Sequence, residues 1–238
     1  MVKKAIAVIP ARGGSKRIPR KNIVEFMGKP MLAWTLEAAI KSKLFDRVLV
    51  STEDEEIALV AKSLGAEVPF LRSEQFADDY SDVSAVTCWC LEQIKDRLEE
   101  EYQTVVQLMP NCPLRNETHI RDAYQCFTSK RLNFQVSAFR YGWMNPWWAA
   151  TLDEQNRPKR IFPEAYNTRS QDLPPLYCPS GAIWIAKTKE LLAKRSFYGA
   201  DCKFHIIDWR AAIDIDDLED LEMAKSMANQ LESKFFRT

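Results

Sequence analysis

The chain opens with a short apolar run, Ala5 to Ile9, that breaks at Pro10 into a loop holding Gly13, Gly14 and Ser15. Five cations crowd the same loop: Arg12, Lys16, Arg17, Arg20 and Lys21, followed by Asn22. No other stretch restricts the fold so much. A buried strand that hands the chain to a glycine turn is the opening of an α/β unit. Glycine lets the backbone approach a ligand closely, and successive amide N–H groups in such a turn form a concave anion site. With this density of Lys and Arg the expected ligand is a polyphosphate. The loop lacks the Lys-[Ser/Thr] ending of a P-loop and the G-x-G-x-x-G of a dinucleotide fold. A turn of merely solvated charges is the alternative, but strand, glycines and cations coincide here.

The pattern downstream supports an α/β reading. Strand-like runs at 5–10, 47–51, 66–71, 104–109 and 134–139 alternate with helical periods at 30–43, 82–99 and 117–130. Between Ser51 and Gly65 lies a further helix, for which Thr52 and Glu55 fit a capping box and Gly65 a stop. Such alternation predicts a three-layer α/β fold, a mostly parallel twisted sheet of Rossmann-like type covered on both faces, with ligands at the C-terminal strand ends. The alternation fails over about 140–176, which holds Trp143, Trp147 and Trp148 among five prolines. That excursion is either a lid or arm that buries its aromatics on a partner, or a loop folded back on its own domain. Regular structure resumes at 181–186, with a helix near 187–195, a strand at 203–207 and a final helix over 217–233. The chain reads as a single domain over 1–238 with that one insertion.

Near the end, Ile213-Asp-Ile-Asp216 places Asp214 and Asp216 two residues apart in an extended segment. A period of two sends both carboxylates to one side and Ile213 and Ile215 to the other. Two carboxylates on one side suit Mg²⁺, which takes a few protein oxygens and completes its shell with phosphate and water. A helix cap is the competing explanation. Asp217, Glu219 and Asp220, by contrast, are accounted for by the start of the last helix.

Bulk composition excludes several classes. Lys plus Arg and Asp plus Glu are 33 each, so the basic loop is a local feature on a neutral chain. That disfavours general nucleic-acid or membrane-surface binding. The six cysteines form no C-x-x-C pair and read as reduced thiols. No apolar run reaches the ~18 residues of a membrane span, and the first one is too short for a signal peptide. A cytoplasmic protein is expected. The two histidines, His119 in a helix and His205 in a strand, make a Ser–His or Cys–His hydrolase unattractive.

The N-terminal loop, the Ile-Asp-Ile-Asp run, Met109-Pro-Asn-Cys-Pro-Leu-Arg115 and Pro179-Ser-Gly-Ala-Ile-Trp184 together resemble the N-acylneuraminate cytidylyltransferase (CMP-sialic acid synthetase) family. The resemblance spans most of the chain, is strongest at 5–23 and 213–220, and is weakest at 140–176. It implies an enzyme that joins CTP to a nonulosonic acid, with Mg²⁺, and releases pyrophosphate. It assigns Arg12, Lys16 and Lys21 to the triphosphate, and Ala11, Gly13, Asn22, Arg72 and Ser81 to further nucleotide contacts. Asp214 and Asp216 become the metal ligands. The sugar side is assigned to Asn111, Arg115, Arg169, Gln171, Ser180 and Gly181, although Arg115 also reads as a simple surface charge. In the family the 140–176 excursion is a dimerisation arm, so a homodimer is implied.

Departures from the family fall on that sugar side. Met109 stands for a glutamine, Asn111 and Cys112 for a hydroxyl pair, Cys178 for an arginine and Ser180 for an asparagine. Arg169 lies one residue out of register. The sugar therefore need not be N-acetylneuraminate: pseudaminic, legionaminic or octulosonic acids remain open. A non-catalytic nucleotide-binding regulator and a purine-sugar pyrophosphorylase are the rivals of other classes.

Overall fold

A computed structural model describes residues 2–76 and 82–235. The first strand, β1 (Val2–Pro10), is followed by a two-residue hairpin, β2 (Glu25–Phe26) and β3 (Lys29–Pro30), then α1 (Met31–Ser42), β4 (Arg47–Ser51) and α2 (Glu55–Ser63). Next come α3 (Val83–Leu98), β5 (Glu101–Gln107), α4 (Glu117–Ser129) and β6 (Phe134–Arg140). A second small hairpin, β7 (Ala150–Leu152) and β8 (Pro158–Arg160), precedes β9 (Tyr177–Lys187), α5 (Thr188–Lys194), β10 (Lys203–Ile206) and α6 (Leu218–Phe235).

Six strands form the central sheet in the order β10-β6-β9-β5-β1-β4. β1 runs parallel to both β4 and β5, and β10 parallel to β6, while β9 is antiparallel to both of its neighbours. This is the expected mostly parallel sheet. The strands at its centre are apolar on both faces, as sheets sandwiched by helices require. One face packs Leu32, Leu36, Ile57, Ala61, Ile120 and Phe127 from α1, α2 and α4, and the other packs Val86, Leu91, Ile94 and Leu191 from α3 and α5. A third cluster joins α6 to the segment before it: Ile213, Ile215, Leu221 and Ala224 pack on Phe26 and Met31.

Two local expectations need correction. The run at 66–71 forms only an isolated bridge, Leu49 to Glu67. Pro69 removes a ladder donor, and Phe70 packs edge-on against Trp89 of α3, with ring centroids 5.4 Å apart. The cap of α2 is Asp54, whose carboxylate accepts the Ile57 N–H at 3.0 Å; Thr52 instead accepts the Asp54 N–H at 3.1 Å.

The 140–176 excursion does not lie back on the sheet. Every residue of β7 and β8 is exposed, Trp143 is 86% exposed and Met144 66%. Beyond Tyr141, whose ring meets Phe139 of β6, the packing recorded is within the excursion: Trp147 meets Phe162 and donates to the Pro174 carbonyl at 2.9 Å, and Arg160 stacks on Tyr166 at 3.8 Å.

Candidate functional site

A cleft of about 590 Å³ opens where β1 and β5 end, and it collects residues far apart in sequence. Arg12, Ser15, Lys16, Arg17, Lys21 and Asn22 line one side. Met109, Pro110 and Asn111, just after β5, line its floor, and Asp214 and Asp216 close the far side. Arg72, Phe76, Val83 and Val86 complete the wall.

The basic loop is shaped from behind. Ala11 is fully buried, and its N–H donates to the Ser51 carbonyl at 2.9 Å, so it braces the loop against β4. The Asn22 amide donates to the Arg12 carbonyl at 2.8 Å. The Gly13 N–H donates to Glu53 Oε1 at 2.7 Å, so in this structure that amide anchors the turn. A side chain at 13 would displace Asp54, because a Cβ there would stand 2.7 Å from Asp54 Oδ2. Glu53 also takes Arg72, with Nη2 2.5 Å and Nε 3.2 Å from Oε2. The Arg72 side chain is only 3% exposed.

The acidic segment behaves as its period predicts. Ile213 and Ile215 are buried, and both carboxylates face the cleft. The helix-cap alternative is removed by α6 itself. Asp220 accepts the backbone N–H groups of Asp216 and Asp217 at 2.9 and 3.1 Å, and Asp217 accepts that of Asp220 at 3.0 Å. Those two residues satisfy the helix start and leave Asp214 and Asp216 for other work. Lys21 Nζ reaches Asp216 Oδ1 at 2.9 Å and the Ile215 carbonyl at 2.8 Å, and Arg17 meets Asp216 at 2.8 Å. The Asn111 side chain donates to Asp214 and to the Ile215 carbonyl, the latter at 3.1 Å.

The two carboxyls are pushed apart in acidity. Burial raises Asp214 to about 6, and the neighbouring Asp216 charge adds to the effect. Its side chain still reaches water through the cleft mouth, but the protein crowding it on other sides dominates. Burial acts the same way on Asp216, yet the hydrogen bonds and charges of Lys21 and Arg17 outweigh it and hold that carboxyl below its usual range. Opposed shifts in one cleft give the two carboxyls different acidities side by side.

Several residues assigned to the sugar lie elsewhere. Arg115 is buried at 1% exposure, donating to the Ala182 carbonyl at 2.9 Å and to Thr35 Oγ1 at 2.6 Å. Burial lowers its pKa to about 10. Thr35 in turn lies 3.3 Å from the Met109 carbonyl, so Arg115 supports the cleft floor from below and does not line it. Ser180 is buried with its hydroxyl 2.9 Å from that of Ser137, pointing into the sheet. Arg169 and Gln171 sit exposed on the arm, Arg169 paired with Asp172 at 2.6 Å, away from this chain's own cleft. Gly181 packs closely behind the cleft floor: a Cβ there would meet Met109 Cγ at 2.8 Å and Asp214 Oδ2 at 3.5 Å. Ser81 lies outside the described residues. Glu53 and Arg17 were absent from the sequence-based site; Glu53 follows β4 at a C-terminal strand end, the position that could have drawn attention to it.

The sequence profile described as Cytidylyltransferase matches residues 6–146. The chain belongs to the cytidylyltransferase family. Among curated relatives, a pseudaminic acid cytidylyltransferase of Campylobacter jejuni is 35% identical over 224 residues, covering 93% of this chain and 95% of that one. A CMP-N,N'-diacetyllegionaminic acid synthase of Legionella pneumophila is 35% identical over 222 residues, covering 90% and 91%. Among solved structures, a CMP:2-keto-3-deoxy-manno-octonic acid synthetase complexed with CTP superposes with a TM-score of 0.73, covering 96% of this chain and 99% of that one at 15% identity. At that identity the superposition speaks for the fold. The family match takes in the basic loop, Glu53, Arg72 and the cleft floor, while Asp214 and Asp216 lie beyond the matched span.

In the free protein the acidic pair is held by nitrogen donors, Lys21 and Arg17 on Asp216 and the Asn111 amide on Asp214. Beside Asp214, the Asn111 Oδ1 atom is buried with no hydrogen-bond partner. Among the described residues no cluster of three or more His, Cys, Asp or Glu stands ready for a metal. Two carboxylates facing one cleft fit a hard cation that takes its other ligands from phosphate and water.

Proposed function

We propose that this cytidylyltransferase joins CTP to a nonulosonic acid, giving the CMP-sugar and pyrophosphate. The observation that carries this reading is the meeting of the basic loop with Asp214 and Asp216 in one cleft, on a chain alignable over nine-tenths of its length to enzymes named for pseudaminic and legionaminic acids. In the proposed reaction the sugar's anomeric hydroxyl attacks the α-phosphorus in line, the bond to the β-phosphate oxygen breaks, and pyrophosphate leaves. Such chemistry asks the protein for position and charge neutralisation. Arg12, Lys16 and Lys21 hold the triphosphate and the departing pyrophosphate, and Arg72 with Asn22 orients the nucleoside. Asp214 faces the cleft beside Asn111, placed to receive the hydroxyl's proton directly or through water.

Asp214 and Asp216 would hold Mg²⁺, which when bound supplies Lewis-acid charge neutralisation at the phosphate and the incoming oxygen. The exposed tryptophan-bearing arm supports a homodimer in which that surface is covered. A nucleotide substrate and reduced thiols support a cytoplasmic setting. No helix among the described residues is long and apolar enough to cross a membrane.

The test is a matrix of CTP, UTP, ATP and GTP against pseudaminic, legionaminic, N-acetylneuraminic and octulosonic acids, read as pyrophosphate release. CTP with a nonulosonic acid should stand alone. Binding of CTP without turnover on any sugar acid would favour a nucleotide-binding regulator instead.

A further inference from the structure

We infer that Glu53 is a positioning residue for the nucleotide, joining the glycine turn to Arg72 so that both present themselves to CTP as one rigid surface. The inference rests on the function proposed above. Glu53 does not line the cleft; it stands behind it. Its two oxygens divide the work: Oε1 accepts the Gly13 N–H at 2.7 Å, and Oε2 receives Nη2 and Nε of Arg72 at 2.5 and 3.2 Å. Few other placements would serve. β4 runs beside β1 with Ser51 opposite Pro10, so the residues just past β4 lie beside the loop that follows β1. The next residue repeats the grip: Asp54 packs on Gly13 and takes Arg20 Nη2 at 2.9 Å. Consecutive acids thus hold both ends of the basic loop.

The charge arrangement says what Arg72 does. Its guanidinium is almost wholly buried and already matched by Glu53. A buried, paired arginine gains little as a further phosphate clamp, but its fork geometry remains an oriented donor. Glu53 fixes that orientation and, through Gly13, the height of the phosphate loop relative to it. A shift of about 1 Å in either would misplace the nucleoside against its phosphates, and misplacement on that scale costs on the order of 100-fold in rate. The sugar acid, at the Met109 and Asp214 side, does not feel Glu53 directly.

Glu53→Gln preserves size and one acceptor while removing the charge that matches Arg72. The expected result is CTP affinity weakened by about tenfold or more in calorimetry without sugar, with the sugar's KM at saturating CTP within about twofold of wild type. A merely structural role would move both constants together. Glu53→Asp keeps the charge and shortens the reach; it should weaken CTP in the same direction, and it decides the matter if Glu53→Gln does not fold. Wild-type CTP affinity in a folded variant, or equal loss toward CTP and sugar, overturns the inference. A wild-type protein that binds no CTP overturns the proposed function itself, an outcome the same titration shows first.

Discussion

Lys21 and Asp216 are 195 residues apart in the chain and meet at 2.9 Å across the mouth of the cleft. The contact links the basic loop after the first strand to the acidic segment before the last helix. In the free protein Asp216 is thus matched by Lys21 and by Arg17. On the proposed function an incoming triphosphate would compete for those same cations, and nucleotide entry and release of Asp216 toward a metal would be one exchange of partners.

From that exchange it follows that Asp214→Asn and Asp216→Asn should each lose Mg²⁺-dependent pyrophosphate release while keeping the fold. Of the two, Asp216 is expected to touch the metal, and Asp214 the sugar hydroxyl or a bound water. A Mg²⁺ titration of both variants checks this. Wild-type rate and metal dependence in either one would remove that aspartate from the site.

Arg12→Ala should cut turnover by about 100-fold with little change in melting temperature, because a lost charge at the phosphate site costs a few kcal/mol in the transition state. Steady-state rates at saturating CTP, alongside a thermal melt, separate the two effects. Near-normal turnover would exclude Arg12 from phosphate stabilisation.

The parts of this site that the sequence announced are those with a local periodic signature. A buried run ending in glycines and cations, and a two-residue alternation of Ile and Asp, each state a direction for their side chains, and Ile213 and Ile215 are buried as that alternation requires. Arg115 carried no such signature. An arginine satisfied by a carbonyl and a threonine from distant elements reads, in sequence, like any loop cation. Ser180 depended on parity along β9, where the register shifts between Val136 and Ala138 of its neighbour β6. At 66–71 the apolar residues were real, but Pro69 and the packing of Phe70 on Trp89 turn them to packing without a ladder. Glu53 is legible only once β4 is known to lie beside β1.

Arg115→Met should therefore act on stability and leave nucleotide affinity alone. Removing the guanidinium takes a charged partner from the Ala182 carbonyl and from the Thr35 hydroxyl, which keeps the Met109 carbonyl, and a buried group left unpaired costs about 1–3 kcal/mol. Urea denaturation beside CTP calorimetry reads both quantities. A changed sugar KM with unchanged stability would restore the ligand role that the structure takes away.

The arm offers a separate check. Trp143→Asp combined with Met144→Asp places charge on the most exposed apolar residues of the excursion. Light scattering should find the variant monomeric where the wild type is dimeric, since a charge buried without a partner opposes association. An unchanged mass, or a wild type that is itself monomeric, counts against the arm as the dimer contact.

The acidity of Asp214 makes a prediction of opposite sign to the usual carboxylate. Its folded value, about 6, lies above the ordinary 3.8. Folding therefore favours the protonated acid, and this contribution is fully present below about pH 4 and lost as pH rises through 6. Above that, the folded protein holds a charge it would rather not carry. A shift of this size converts to about 3 kcal/mol, and water reaching Asp214 through the cleft screens it to about 1 kcal/mol. Asp214→Asn removes the titrating group but keeps an oxygen for the Asn111 amide. In chelator, without nucleotide, the variant should match the wild type near pH 4 and melt a few degrees higher at pH 8. Thermal melts across that range decide it, and a difference that stays flat with pH would mean that Asp214 does not carry the raised pKa. A variant more stable yet inactive is what a residue kept for chemistry should give: the cleft holds an uncomfortable carboxylate because a proton or a cation is to be received there.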